Sequence, residues 1–395
     1  MTIKSLLFVS NFLNHHQKPL ADFFYQTMRG AYHFVSCQPM PEQFKKFGYP
    51  DYESEPYNIL MYKGEAEKKD VEYWVENSDI LVMGGVYNLP IIEHRLKTKK
   101  IMFFYSERWH KNIRSYLIQP VRWLNGYTHK RFSRYNNANV YMLCAGAYVP
   151  NDCRLEDAYQ GKTFKWGYFP ATQNFSYETI SSMRDKCSCI EILWVARFLD
   201  WKHPEIAIKV VHKIIQENYN VHLTMIGGVD KTNKKSQAVY ESTLKYIKEH
   251  SLEKKISIKG NVPNEEVHQI MRNSHIFLFT SDRHEGWGAV LNEAMSEGCA
   301  CIASNMIGAA PYLIEHKKNG LIAKNKSVNS FTQLLKFLLD NKKLMEQIGK
   351  SAYISMREMW DPETAAKRLL ELSSSLIENH PSPFTSGPCS IAEPI

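Results

Sequence analysis

Short apolar runs alternate with longer amphipathic segments along this chain, once through in the first half and again in the second. Few folds satisfy that pattern. Short continuous apolar runs read as strands buried on both faces, and the amphipathic stretches between them as helices that cover a parallel sheet. In the first half the expected strands are Ser5–Val9, Tyr32–Cys37, Asp79–Met83, Ile101–Tyr105 and Val140–Cys144, with helices at Pro19–Met28 and Ile113–Phe132, the latter kinked at Pro120. In the second half strands are expected at Glu191–Ala196, His222–Ile226, Ile256–Lys259, His275–Thr280 and Cys299–Ala303. Helices are expected there at Pro204–Glu217, Gln237–Lys248, Asn264–Met271, Ala289–Glu297 and Ser330–Leu339.

This divides the chain into two Rossmann-like α/β domains, 1–171 and 190–362, with the polar stretch 172–189 as a linker. A final helix over 363–379 is expected to return toward the first domain, and the Pro/Ser-rich end, 380–395, to be disordered. At 395 residues the chain is too long for one ordinary core, and two are what its size favours. Open parallel sheets bind ligands at their carboxyl edges, so two such sheets facing a central cleft suit an enzyme that joins two substrates.

Hydrophobic residues make up 44% of the chain and charged residues 23%, the balance of a globular protein and not of a disordered one. The formal charge of +8 suits an anionic ligand or surface. The eight cysteines form no CxxC pair, and Cys299 and Cys301 alternate within an apolar run, as small buried residues on one strand face. The N-terminus reads as no signal peptide, and no stretch reaches the length of a membrane span, so a cytoplasmic location is expected.

The strongest chemical signal is the segment Thr280-Ser281-Asp282-Arg283-His284-Glu285-Gly286-Trp287-Gly288-Ala289-Val290-Leu291-Asn292-Glu293. It follows an expected strand, passes two glycines and enters an expected helix. Glycines let backbone approach a ligand, and a new helix offers free N–H groups with a positive dipole, so an anionic phosphate is the natural guest. Glu285 and Glu293 would stand about 12 Å apart even on a continuous helix, too far for the roughly 5 Å carboxylate pair of a retaining glycosidase. They fit better as grips on different parts of one extended ligand.

This segment resembles the E-x7-E motif of glycosyltransferase family 4, a large family of retaining enzymes with the GT-B fold. The resemblance implies that Glu285 and the backbone of Gly286, Trp287, Gly288, Ala289 and Val290 hold the donor sugar, and that Glu293 accepts hydrogen bonds from the nucleotide ribose. Ala196-Arg197-Phe198-Leu199-Asp200-Trp201-Lys202 is similar to the family's Arg-x4-Lys segment, whose cations bind the donor diphosphate. An Arg fork and a Lys point charge there would stabilise the departing nucleotide. Asn261 and Val262, in Gly260-Asn261-Val262-Pro263, resemble the family's loop beside the base. The chain departs from the family in having Trp287 where Phe is more usual, Val290 for a proline and Tyr312 at a commonly acidic place.

Likeness thins across the first half. Asn14, His15 and His16 stand where relatives place a Gly-rich loop, and Glu107 lies near a place where many carry a sugar-contacting histidine. These four are expected to contact acceptor or sugar. The stretch from Arg108 to Phe132 mixes basic and aromatic residues, and is either a surface helix whose aromatics are core or a contact for an anionic membrane. No nucleic-acid module and no Asp-x-Asp metal motif is recognised, so neither nucleic acid nor a metal is expected, and no cofactor beyond the nucleotide-sugar donor. The expected activity is transfer of a sugar from a UDP- or GDP-linked donor to a saccharide or lipid-linked acceptor. A nucleotide-sugar epimerase of the same fold would convert donor without acceptor, and a non-catalytic subunit would bind nucleotide without turnover. A dehydrogenase is disfavoured, since no strand–GxGxxG–helix element occurs.

Overall fold

A computed structural model describes residues 3–42, 45, 49–230 and 232–395. The chain divides into two compact units, Met1–Ala171 together with Met359–Ile395, and Thr172–Glu358.

The first unit is built on a seven-stranded sheet. Its strands are β1 (Leu6–Ser10), β2 (Tyr32–Ser36), β3 (Asn58–Leu60), β4 (Ile80–Gly84), β5 (Met102–Ser106), β6 (Val140–Ala145) and β7 (Thr163–Trp166), in the spatial order β3-β2-β1-β4-β5-β6-β7. Every pairing is parallel. Strands β1 and β4 are buried along their whole length, as near-continuous apolar runs must be when helices cover both faces.

The second unit holds β8 (Ile190–Val195), β9 (Val221–Ile226), β10 (Ile256–Gly260), β11 (Ile276–Phe279), β12 (Ala300–Ser304) and β13 (Leu321–Ala323), ordered β10-β9-β8-β11-β12-β13 and again all parallel. Its core shows how pattern becomes packing. Helix Pro204–Gln216 has proline in its first turn, where the missing N–H is no loss, and buries Ile206, Ala207, Val210, Val211 and Ile214 against the sheet. Each buried Val or Ile side chain contributes about 1.5–3 kcal/mol by leaving water. Helix Val328–Leu339 starts where Ser327 accepts a hydrogen bond from the Ser330 amide, and it packs on Pro204–Gln216.

Several expectations are corrected. Residues 380–395 are ordered: Lys165 N donates to Ser390 O at 2.8 Å, Ala392 N donates to Thr163 O at 2.9 Å, and Phe164 pairs antiparallel with Ile391. Cys389 and Ala392 are buried. This segment covers the outer edge of β7, which would otherwise present unpaired backbone groups. The stretch 172–189 is not a free linker. It contains a helix, Tyr177–Arg184, whose buried Arg184 donates to the carbonyls of Arg272, Glu297 and Gly298 at 3.0, 2.8 and 2.6 Å. The helix expected over Ile113–Phe132 is three short ones, Ile113–Leu117, Gln119–Leu124 and Tyr127–Arg131, parted at Ile118, with Pro120 in the first turn of the second, and again before Tyr127, where Gly126 has φ +74°. The last helix, Pro362–Ile377, is capped by Asp361 accepting from the Thr364 amide, and it packs on helix Lys18–Met28 of the first unit.

Candidate functional site

In the second sheet the chain leaves β8 toward β9 on one side and leaves β11 toward β12 on the other. Open parallel sheets bind ligands where the strand order reverses in this way. The two loops leaving that point are the two motifs singled out from the sequence, and Thr280 ties them together. Its hydroxyl lies 2.7 Å from Lys202 O and 3.0 Å from His203 O, and it accepts from Trp194 Nε1 at 2.9 Å. The Asp282 amide donates to Trp201 O at 3.0 Å.

These ties bring Lys202 and Glu285 into direct contact: the ammonium donates to the Glu285 carboxylate, and both are largely buried. Lys202 Nζ also stands 4.2 Å from the centre of the Trp201 ring. Arg197 is exposed at the start of the same loop. Its backbone is placed by glycines that admit no side chain. Gly227 has φ +155°, and a Cβ there would stand 1.8 Å from Ala196 O. A Cβ on Gly228 would stand 2.4 Å from Asn261 Oδ1. The loops after β8, β9 and β10 therefore meet with almost no spacing, and they gather Arg197, Asn261 and the half-buried Val262 at one sheet edge.

Gly286 and Gly288 are buried in the backbone that leads into helix Val290–Ser296. Gly288 has φ +94°, and a Cβ would meet the Phe279 ring at 2.7 Å. Ala289 and Val290 are half-buried, and the first amides of such a turn have no intrahelical acceptor. The Trp287 side chain is fully buried, and its indole N–H donates to Asn292 Oδ1 at 2.8 Å. It braces the turn from behind, so only its backbone is available to a ligand. Glu293 lies on the short helix, 8% exposed. Burial pushes its carboxyl up to about 7, against the opposing charge of His268 and with help from Glu297. Glu297 is itself held by His268 Nδ1 at 2.8 Å and Arg272 Nη1 at 3.1 Å.

The sequence reading missed the group that braces this site, Asp282. It is 3% exposed, and its carboxylate faces His203 Nε2 at 3.2 Å, His284 Nδ1 at 2.8 Å and Lys326 Nζ at 3.0 Å, and accepts from the His284 amide at 3.0 Å. Despite burial, these partners hold it far below the usual carboxylate range. Burial alone would lower His203, but hydrogen bonds to Asp282 and Glu205 outweigh it and raise the imidazole to about 9. Asp282 also gives its carbonyl to the Glu285 amide at 3.0 Å, and His203 directly follows Lys202. One charge cluster centred on a buried carboxylate thus sets the position of both candidate residues. The spacing of Asp282 three residues before Glu285, and of His203 beside Lys202, was visible in the sequence; nothing there pointed to Lys326.

In the first unit, Asn14, His15 and His16 follow β1 and Glu107 follows β5. Asn14, expected to contact acceptor or sugar, is half-buried; its side chain accepts from the His16 and Gln17 amides at 3.0 and 3.2 Å and donates to Gln17 Oε1 at 3.0 Å, so it also shapes the start of helix Lys18–Met28. The His15 and His16 rings lie 3.8 Å apart, and burial, then the neighbouring His15, holds His16 well below its ordinary value. Tyr168, another residue the sequence reading missed, links this loop to Glu107. Its ring lies 5.7 Å from that of His16, and its hydroxyl donates to Glu107 Oε1 at 3.0 Å. The other Glu107 oxygen accepts from Lys111 Nζ at 3.1 Å.

Residues 189–355 match the family described as glycosyl transferases group 1. Over 184 residues the chain is 27% identical to trehalose synthase of Thermococcus litoralis, covering 47% of this chain and 44% of that protein. Over 193 residues it is 23% identical to the GPI3 subunit of phosphatidylinositol N-acetylglucosaminyltransferase of Saccharomyces cerevisiae, covering 49% of this chain and 40% of that one. The chain thus spans less than half the length of either relative. Among solved structures, HepE of Anabaena in complex with UDP aligns with a TM-score of 0.68 at 15% identity, covering 94% of this chain and all of that one. A glycosyltransferase from Rickettsia africae aligns at 0.69 and 14% identity, over 96% of this chain and 100% of that chain. These likenesses show the fold: two parallel-sheet α/β domains of the GT-B type.

Proposed function

With residues 189–355 matching the glycosyl transferases group 1, we propose that this protein is a retaining glycosyltransferase of family 4. It moves a sugar from a nucleoside-diphosphate sugar to a saccharide or lipid-linked acceptor, in the cytoplasm and without a metal. The observation that carries this reading is the contact of Lys202 with Glu285, beside the exposed Arg197, at the reversal point of the second sheet. A cation held against a carboxylate is poised to transfer to a diphosphate when one arrives, freeing Glu285 for the sugar hydroxyls. Arg197 and Lys202 then neutralise the charge that grows on the departing nucleotide, work that a metal does elsewhere. Glu293 accepts from the ribose hydroxyls, Asn261 and Val262 flank the base, and the Gly286–Gly288 backbone lies along the sugar. UDP is favoured over GDP because the Anabaena neighbour is seen with UDP and with UDP-glucose.

On the acceptor side, His15, His16 and Glu107 offer the polar groups. Retention follows if the acceptor hydroxyl attacks from the face the nucleotide leaves. The sugar passes through a short-lived oxocarbenium-like state, and the leaving phosphate takes the acceptor's proton.

The test is nucleotide release from UDP-glucose, UDP-N-acetylglucosamine and GDP-mannose by wild type and Glu285→Ala, with EDTA in a parallel arm and the anomeric configuration of the product read by NMR. Removing an electrostatic stabiliser of this kind costs on the order of a hundredfold or more in rate. Near-full activity of Glu285→Ala would sink the site assignment. An inverted product would sink retention, and loss of activity with EDTA would sink metal independence.

A further inference from the structure

Between Arg108 and Arg134 the chain carries seven Lys or Arg and no Asp or Glu. The structure shows what this segment presents. Of the twelve exposed large apolar side chains among the described residues, six lie between Leu117 and Tyr127. Leu117 is 73% exposed, Val121 62%, Trp123 62% and Leu124 79%. Helix Gln119–Leu124 buries none of its residues. Among the described residues this apolar helix face has no covering partner, and such clusters mark interaction surfaces.

The segment is nonetheless fixed to the first unit. Arg108 lies 4.8 Å over the Tyr148 ring, Trp109 stacks on Phe132 at 4.3 Å, Gln119 Nε2 donates to Leu155 O at 2.9 Å, and Thr128 donates to Glu156 at 2.7 Å. One side of the segment is thus tied down while the Leu117–Tyr127 side faces solvent. In the same short helices Arg114 and Lys130 are exposed, and Arg122 lies 5.6 Å over the ring of the exposed Tyr127. Acids that touch the segment are already engaged: Glu107 with Lys111, Glu93 with Arg134, Asp152 with the Trp109 and His110 amides, and Glu156 with Thr128.

We propose that this surface docks on an anionic phospholipid membrane. Leu117, Val121, Trp123 and Leu124 enter the headgroup–acyl boundary, Tyr127 sits at the headgroups, and Arg114, Arg122 and Lys130 meet lipid phosphates. The charge pattern selects this occupant: a second copy would set the same cations against themselves, whereas an anionic lipid surface complements them. Trp and Tyr are the aromatic residues that settle at membrane–water interfaces. This inference stands independently of the transferase reading, because its readout is binding and not turnover.

The experiment is sedimentation of the full chain with phosphatidylcholine vesicles and with vesicles containing one-third phosphatidylglycerol. Wild type is compared with Trp123→Ser/Leu124→Ser and with Arg114→Gln/Arg122→Gln/Lys130→Gln. The altered positions lie at the surface, so melting temperatures stay within a few degrees and report folding. Wild type sediments with the anionic vesicles and much less with the neutral ones, and added salt releases it. Each cation near the surface is worth about a fivefold change in affinity, so the triple variant weakens binding about a hundredfold. The double variant loses binding as well. Equal binding to both vesicles, binding unchanged in either variant, or no binding by wild type overturns the proposal. Self-association of wild type that the double variant abolishes, without vesicle binding, assigns the surface to a second copy and overturns it too.

Discussion

Replacing Asp282 by Asn removes the charge on which His203, His284 and Lys326 converge while keeping the side chain's size. The magnitude follows from His203. A folded value of about 9 against the ordinary 6.5 corresponds, at about 1.4 kcal/mol per pH unit, to roughly 3 kcal/mol of native-state stabilisation, which Asp282 shares with the more exposed Glu205. Asp282 therefore accounts for about 2 kcal/mol through His203. The two remaining bonds to His284 raise the expected loss at pH 7 to about 2–4 kcal/mol. Because the His203 value is raised on folding, this stabilisation is fully present below pH 6.5 and disappears as the pH climbs through about 9. The assay is thermal unfolding of wild type and Asp282→Asn at pH 6.5, 8 and 10. A loss of that size lowers the second unit's melting temperature by roughly 5–12 °C at pH 6.5 and by distinctly less at pH 10. A deficit that is constant across the series, or below about 2 °C throughout, would refute the reasoning that a buried carboxylate–imidazolium pair braces the Lys202–Glu285 loops.

Two further outcomes are expected. Gly288→Ala places a Cβ at φ +94° and 2.7 Å from the buried Phe279 ring, so it costs about 2–4 kcal/mol of stability; a melting temperature within 2 °C of wild type would contradict it. Glu293→Gln removes a carboxyl raised to about 7 on folding, whose favourable contribution is complete below pH 4.5 and lost as the pH rises through 7. The variant thus gains on wild type by about 3 kcal/mol between pH 4.5 and pH 8, read by chemical denaturation at both; parallel pH profiles would contradict it.

The strands were legible where burial on both faces made them continuous apolar runs, as in Leu6–Ser10 and Ile276–Phe279. Short edge strands were not: Asn58–Leu60, Thr163–Trp166 and Leu321–Ala323 are three or four residues long. Their pairing is decided by neighbours distant in sequence. The tail was misread for a related reason. Its Pro/Ser composition promises no core of its own, but Cys389 and Ala392 are buried against an edge strand over two hundred residues earlier in the chain.

The site was legible as local motifs. Glycines and charges around Arg197–Lys202 and Glu285–Glu293 stand at ends of strands, where spacing carries meaning. What spacing does not carry is the joining of two loops eighty residues apart, Lys202 with Glu285 and Thr280 with the Lys202 carbonyl. Nor did it separate a residue's type from its task. Trp287 is expected at the donor through its backbone, and the motif gives no sign that its ring is a brace. Asn14 reads as an acceptor contact because it follows the first strand, and its position alone does not show that its side chain also shapes the turn it occupies.

The central claim is that Arg197 and Lys202 form the diphosphate end of a nucleotide-sugar site. Its most direct test is the melting temperature of wild type and Arg197→Ala with UDP, GDP, ADP, CMP and NAD in turn. A ligand at about a hundred times its dissociation constant stabilises the folded state by roughly 2.7 kcal/mol, which for a unit of this size is on the order of 5–10 °C. The account predicts that shift for one nucleoside diphosphate, UDP first, and its loss in the exposed-residue variant Arg197→Ala, whose own melting temperature stays near wild type. No shift with any nucleotide, or a UDP shift that survives the substitution undiminished, would contradict it.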